Sequence, residues 1–371
     1  MNANVSKAGI NLLKKNSTKA DFVGGIVATG GVAYSWEYLT PFIWAFSESG
    51  AGEGEFLIPV RQEDFSSICK GNAKSIEFKN SPENGGFYAD GYPYIYGDGN
   101  TETTLNALAQ EGESIFKSRL NLPTRDEIVG LTDPKNPKKS LNGLCWELKT
   151  GNYYASDIKI LGRGKAVALS IGVEHLLLPP KVLNYFTDDE CEVFTNAEFV
   201  IIKQGGVRVV INKADNANCD KPPLFEEVIP GEKKMRGQIA MGRDYLSRLL
   251  KDFRNEHAII TLCEGGAVRI VDYDYITKTG KEIITDGEQI LHNATLDGKY
   301  PDNKSIWRVD ALKRICKFAT DDFILVDVFD GEVIPATENN DEYKTCPFAR
   351  YPIRIKAGAD RLIVMMPCVV L

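Results

Sequence analysis

Histidine is scarce in this chain: there are three in 371 residues, His175, His257 and His292. None belongs to an HExxH pair, and neither a GxSxG elbow nor a DxDxDG loop occurs, which excludes the metalloprotease, serine-hydrolase and EF-hand patterns. The nearest phosphate-loop lookalike, GRGK at 162–165, lacks the spacing needed to wrap backbone N–H groups around phosphates. The carboxylate pairs Asp188–Asp189 and Asp321–Asp322 follow predicted helices and read as solvated turns. His175 precedes an apolar helix entry and reads as structural. CxxC pairs are also absent. The eight cysteines (Cys69, Cys145, Cys191, Cys219, Cys263, Cys316, Cys346 and Cys368) are scattered, mostly in apolar runs, as buried free thiols would be. Long hydrophobic runs are missing: nothing approaches the ~18 apolar residues of a membrane span, and the N-terminus has no signal-peptide pattern. A cytoplasmic protein with no catalytic residue, metal, cofactor or membrane partner is the expectation.

What is present is a plan written three times. Helix-like segments open near Val5, Thr124 and Arg243, at intervals of 119 residues. Each is followed by two strand-like runs around a turn, at 25–37, 143–157 and 258–274. A β-like entry then leads into a second helix signal, from Phe56, Leu176 and Ile306, and a strand closes each set at 75–80, 190–196 and 323–329. Solenoid units run to roughly 20 to 50 residues, so this period reads as three copies of a domain. Length agrees with two to three domains, and 43% hydrophobic residues with 10% aromatics suffice for packed cores.

Charge is segregated by element. The six helix-like segments (3–19, 60–74, 124–139, 180–187, 241–257 and 308–317) carry +11 between them, so the rest of a chain whose net charge is -7 carries -18. Helices sharing one surface would make a basic face on an acidic protein, suited to a phosphate backbone without sequence readout. The alternative is that Lys and Arg are good helix formers on solvated faces.

The tripled plan resembles the bacterial sliding clamp, the β subunit of DNA polymerase III, over essentially the whole chain. LNGLCWELKTGNYYASD, leading into Ser156, Asp157, Ile158, Lys159, Ile160 and Leu161, is similar to a middle-domain segment of that family. LLLPPKVLNYF resembles its proline-basic helix entry, PLFEEVIP at 223–230 resembles an interdomain linker, and the RLIVMMPCVVL end resembles the family's tail.

The resemblance implies an α+β fold of three tandem clamp domains, each with two helices packed on antiparallel sheets. The boundaries would be 1–118, 119–230 and 231–371, and two chains would close head to tail into a homodimeric ring around duplex DNA. Cations placed to face DNA would be Lys7, Lys14, Lys15, Arg61, Lys70, Arg125 and Lys181. The third repeat would add Arg243, Arg248, Lys251, Arg254, Lys313, Arg314 and Lys317. An ordinary solvated side chain is the alternative at each position. The family's docking cleft for short hydrophobic peptides of polymerases and the clamp loader would use Ser156, Asp157, Leu161, Pro223, Val228, Val364, Met366, Pro367 and Cys368. The competing reading makes LIVMMP the last core strand.

Departures occur where the family has glycine-histidine-arginine and this chain has Ile158-Lys159-Ile160, and at the tail, Cys368-Val369-Val370-Leu371. A DGKYPD stretch, which the family places before its second linker, appears here at 297–302. Outside the repeats, 97–118 reads as an extended polar linker and 331–352 as a hairpin with a long loop. The aromatic run 88–97 reads as an edge strand and the expected dimer contact. The implied function is a non-catalytic processivity factor. The alternatives are a clamp-fold scaffold or inhibitor no longer loaded on DNA and, more distantly, an enzyme on repeated α+β domains.

Overall fold

The computed structural model describes residues 2–6, 24–40, 42–54, 56–60, 75–81, 86–89, 92–94, 101–186, 189–214, 235–262, 268–274, 276, 279–281, 293–296, 303–329, 333–334, 343–344 and 353–365. The opening third holds β1 (Asn2–Ser6), β2 (Gly24–Thr29), β3 (Val32–Thr40), β4 (Ile43–Glu53), β5 (Phe56–Val60), β6 (Ser75–Ser81), β7 (Gly86–Ala89) and β8 (Tyr92–Tyr94). Helix α1 (Thr101–Ala109) and β9 (Glu113–Ser118) follow. In the middle third, α2 (Arg125–Ile128) precedes β10 (Leu144–Glu147), β11 (Asn152–Ser156), β12 (Ile160–Lys165), β13 (His175–Leu178), β14 (Cys191–Thr195), β15 (Phe199–Gln204) and β16 (Val207–Asn212). The last third begins with β17 (Met235–Gly242), α3 (Arg243–Asp252), β18 (His257–Leu262), β19 (Val268–Asp274), β20 (Thr279–Lys281), β21 (Asn293–Leu296) and β22 (Asn303–Arg308). It ends with α4 (Val309–Phe318), β23 (Phe323–Phe329), β24 (Val333–Ile334), β25 (Tyr343–Lys344), β26 (Ile353–Lys356) and β27 (Leu362–Met365).

Contacts divide the chain into two compact units, and the division runs through the middle third. The first comprises 1–125, 147–151 and 167–219, the second 126–146, 152–166 and 220–371. In the first unit a 12-stranded antiparallel sheet runs β8-β7-β6-β1-β4-β16-β15-β14-β9, with β2, β3 and β5 branching from it. The β4–β16 ladder, from Ile43 opposite Ile211 to Ser47 opposite Val207, joins the opening third to the middle third. The core beneath draws on both: Val27, Trp36, Trp44 and Phe46 pack with Phe199, Ile201 and Val210. Trp44 meets Phe199 edge-on, with ring centroids 6.5 Å apart. The β2–β3 hairpin turns through Gly30 and Gly31, both at positive φ (59° and 83°), a two-residue turn that only glycine makes without strain.

In the second unit one antiparallel sheet runs β10-β11-β12-β27-β26-β23-β17-β21, and a second runs β20-β19-β18-β22. Helices α3 and α4 pack against each other. The α3 stripe Leu246, Leu249 and Leu250 is buried, as are Leu312, Ile315 and Cys316 on α4. In each helix an acid sits in the first turn and a lysine in the last, complementing the helix dipole.

The predicted strand pairs match β2–β3, β10–β11 and β18–β19, and the closing strands match β6, β14 and β23. The 331–352 hairpin forms with two rungs, Val333 opposite Lys344 and Ile334 opposite Tyr343. Among the described strands, β8 stands at an edge of its sheet. Asn2–Ser6, at the start of the helix-like segment 3–19, is strand β1, with Val5 opposite Gly50 on β4 and Ile76 on β6, and the segment's stripe of Ile10, Leu12 and Leu13 lies outside the described residues. Two expectations change. The 97–118 segment is not an extended linker, because α1 buries Ala107 and Leu108 against the Trp44 and Phe199 core, worth roughly 1.5–3 kcal/mol for the leucine. The two middle helices shrink to the single turn α2 and a 3-10 helix over Pro180–Tyr185. Pro134 and Pro137 disfavour the α conformation at Asp133 and Asn136, and the Asp133 carboxylate holds the backbone in a turn by accepting the Lys135 N–H at 3.2 Å.

Cys145, Cys191 and Cys316 are buried free thiols, and the other five cysteines lie outside the described residues. Burial pushes the Cys191 thiol up to about 11 and Cys316 up to about 12. GRGK at 162–165 is strand: a Cβ on Gly164 would lie 2.2 Å from the Tyr153 hydroxyl oxygen, so the glycine admits a ring rather than a phosphate. No described helix is long and apolar enough to cross a membrane.

Candidate functional site

The α3–α4 pair gathers the described basic candidates of the third repeat, and their environments differ. Arg248 and Lys251 on α3, Lys313 and Lys317 on α4, and Arg254 just beyond α3 are exposed, away from the buried faces of the two helices. Arg243 and Arg314 turn to the protein itself. Arg243 donates to the carbonyls of Ala319 and Thr320, both at 3.2 Å, where the orphan acceptors of α4 end. Arg314 donates to Asp157 at 2.6 Å and to Asp310 at 3.0 Å. These two arginines answer internal acceptors and carboxylates.

Arg125 is half-buried on α2. Lys181, also half-buried, belongs to the surroundings of the buried Glu37 carboxyl. Burial raises the Glu37 pKa, while the Tyr185 hydroxyl, donating at 2.6 Å, and the charge of Lys181 oppose the rise. Lys7, Lys14, Lys15, Arg61 and Lys70 lie outside the described residues.

Four of the residues expected to line the cleft, Ser156, Asp157, Leu161 and Val364, lie on β11, β12, the turn between them and β27. The Asp157 carboxylate accepts the N–H groups of Lys159 (3.0 Å) and Ile160 (2.8 Å). The Ser156 hydroxyl donates to the Ile160 carbonyl at 2.9 Å and accepts the Ile158 N–H at 3.1 Å. Both side chains are consumed in shaping the turn. At its tip Ile158 is held at φ 79° and is 70% exposed, an uncommon state for a β-branched residue. Leu161 stands directly opposite Val364 in the β12–β27 ladder, and the two close on Tyr154 as one small apolar cluster. With Leu161 6% and Val364 4% exposed, this cluster is packed core as well as candidate cleft floor. Pro223, Val228, Met366, Pro367 and Cys368 lie outside the described residues, as does the 297–302 stretch.

The same sheet face carries a feature that motif reading passed over. Arg163 and Lys165 alternate along β12, and Arg354 and Lys356 along β26. Their period of two, legible as RGK and RIK, puts all four on the face that carries Leu161 and Val364, since Arg163 faces Leu362 and Lys356 faces Leu362 from the other side. Nearby, the Arg361 guanidinium donates to Glu127 at 2.7 Å and lies over the Phe318 ring. Burial opposes the Arg361 charge, but the bonds and charges of Glu127 and Tyr153 outweigh it and raise the pKa.

Antiparallel sheets with paired helices, laid out in three thirds and joined by β4–β16 and β12–β27, define the α+β DNA-clamp fold. Over its whole length the chain is similar to solved bacterial sliding clamps. The DNA polymerase III β subunit of Thermotoga maritima matches at 15% identity with a TM-score of 0.66, covering 100% of both chains. That of Borrelia burgdorferi matches at 12% identity with a TM-score of 0.69, covering 100% of this chain and 99% of the other. The Helicobacter pylori β clamp, solved bound to a DNA ligase peptide, matches at 12% identity with a TM-score of 0.66, covering 100% of both. No protein-family model and no curated protein sequence matches the chain.

Proposed function

We propose that this chain is a divergent sliding clamp: a cytoplasmic, non-catalytic processivity factor of domains 1–118, 119–230 and 231–371. Two chains close into a ring on duplex DNA, with the β8 edge at the contact between them. The observation that carries this reading is the exposed group Arg248, Lys251, Lys313 and Lys317 on a helix pair, with Arg254 just past the end of α3, in a clamp-fold chain that is otherwise acidic. A ring that holds DNA by enclosure needs only weak, sequence-blind attraction, which such cations supply while letting the ring slide. The Leu161–Val364 cluster and the tail beyond it would form the cleft in which a polymerase or clamp loader seats a short hydrophobic peptide, as the Helicobacter pylori clamp takes a ligase peptide.

Sedimentation combined with small-angle scattering tests the ring. A dimer of twice 41.1 kDa with a hollow profile is expected. A monomer at every concentration would favour the second reading, a clamp-fold scaffold or inhibitor that is not loaded on DNA. That reading draws on the internal engagement of Arg243 and Arg314, two of the cations assigned to DNA.

A further inference from the structure

Within the second unit a pocket of about 430 Å³ opens where β12, β26 and the turn into β27 converge. Five cations line it, Arg163, Lys165, Arg354, Lys356 and Arg361, with Asp360 as the one acidic lining residue. Arg354 is held by the buried Asp327 behind it, and Arg361 by Glu127. Counting those two carboxylates with Asp360, the pocket sets five positive groups against three negative ones. Lys165 is exposed and Lys356 half-buried, so their ammonium groups can meet a ligand. Gly162, of the opposite parity on β12, faces Leu131 and the α4 residue Phe318, so Arg163 and Lys165 project from the sheet face away from that helix, while Arg361 reaches the pocket from the α4 side, over Phe318. The basic helix face does not account for it.

Position argues for the occupant. Leu161 and Val364 form one rung of the β12–β27 ladder, and Arg163 with Leu362 forms the rung two residues on, at the pocket's edge. At about 3.3 Å per residue, Arg163 lies ~7 Å and Lys165 ~13 Å along the strand from Leu161. An extended peptide with its apolar anchor on Leu161 and Val364 would carry residues about two to four places further along over these cations.

We propose that this pocket receives the carboxylates of an acidic stretch beside the apolar docking motif of a partner protein. The proposal rests on the cleft reading above and adds a charge requirement to it. Rim ion pairs of this kind are individually weak and screened by salt, so the acids steer and select partners more than they anchor them.

The test measures fluorescence anisotropy of labelled peptides on the full-length protein. One peptide carries a short hydrophobic clamp-docking motif alone, and others carry the motif with a Glu-Glu pair two to four residues before or after it. On the natural protein at low salt, the acidic pair on one side is expected to tighten binding about fivefold, a gain that fades by 0.5 M salt. K165E combined with K356Q is expected to abolish the gain. If the motif binds and the acids add nothing, the pocket assignment is wrong and the cleft stands. If no peptide binds, the cleft reading fails and the proposal falls with it. A gain that survives K165E/K356Q would also overturn the assignment, as would pyrophosphate binding tighter than the acidic peptide with the same charge dependence, which would give the pocket to a phosphorylated small molecule. Because Lys165 is exposed, K165E alone serves if the double variant does not fold, and the salt dependence of the natural protein tests the proposal independently of any variant.

Discussion

The guanidinium of Arg314, on α4 in the last third, donates to the carboxylate of Asp157, in the β11–β12 turn of the middle third, at 2.6 Å. The same carboxylate group holds the turn by accepting two backbone N–H groups, so one side chain ties a basic helix to the edge of the candidate cleft. Arg314 is 31% exposed and Asp157 14%, which leaves the pair only partly screened. R314Q should cost about 1 kcal/mol in denaturant unfolding, with a double-mutant cycle against D157N returning most of that as coupling. Reversing the exposed Lys313 and Lys317 should do the opposite, weakening retention on duplex DNA and flattening its salt dependence with little change in stability. Equal DNA defects from both sets would put Arg314 back on the DNA face.

Ile158 adopts a left-handed backbone with its side chain in solvent. A left-handed conformation costs an L-residue roughly 1–2 kcal/mol, which glycine avoids at a smaller entropic cost. I158G should therefore raise stability by roughly half to 1 kcal/mol. A lower unfolding midpoint would mean that the isoleucine makes contacts which outweigh its strain.

Gly164 faces the ring of Tyr153, itself buried, and a methyl group there would approach the ring to 2.2 Å. G164A should destabilise by about 2 kcal/mol through overpacking, with Y153L recovering part of the loss. Additive losses in the double variant would show that the two positions do not share one space.

Glu37 is 2% exposed, and burial raises its pKa above the ordinary 4.5. For an acid raised in the folded state, the unfolded chain releases its proton first. Stability therefore falls as pH climbs from about that ordinary value through the folded one. E37Q, which keeps an acceptor for the Tyr185 hydroxyl, should equal the natural protein near pH 4 and exceed it at pH 7 to 8 in chemical denaturation. An identical pH profile for the two proteins would show that Glu37 titrates alike in both states.

Strand pairs, closing strands and the helices α3 and α4 were legible in the chain because each rests on local hydrophobic period and turn chemistry, within some ten residues. Leu246, Leu249 and Leu250 mark a helix whatever surrounds them. The helix α1 was not legible: TETTLNALA is polar, and it is Ala107 and Leu108 against Trp44 and Phe199 that hold it. The shortening of the first middle helix is legible in Pro134 and Pro137, which disfavour helix in the residues before them.

By itself, then, the sequence determined the tripled α+β plan, the acidic remainder against basic helical segments, and the positions of most strands. Tertiary structure alone decided which thirds share sheets, through β4–β16 and β12–β27, and which cations stay exposed. Arg243 and Lys313 look alike in sequence, but one caps the end of α4 and the other faces solvent. The physical reason is separation: the Arg314–Asp157 pair joins residues 157 apart and the Tyr185–Glu37 bond residues 148 apart. No local pattern encodes a partner that far along the chain, whereas the folded backbone brings it within hydrogen-bond reach.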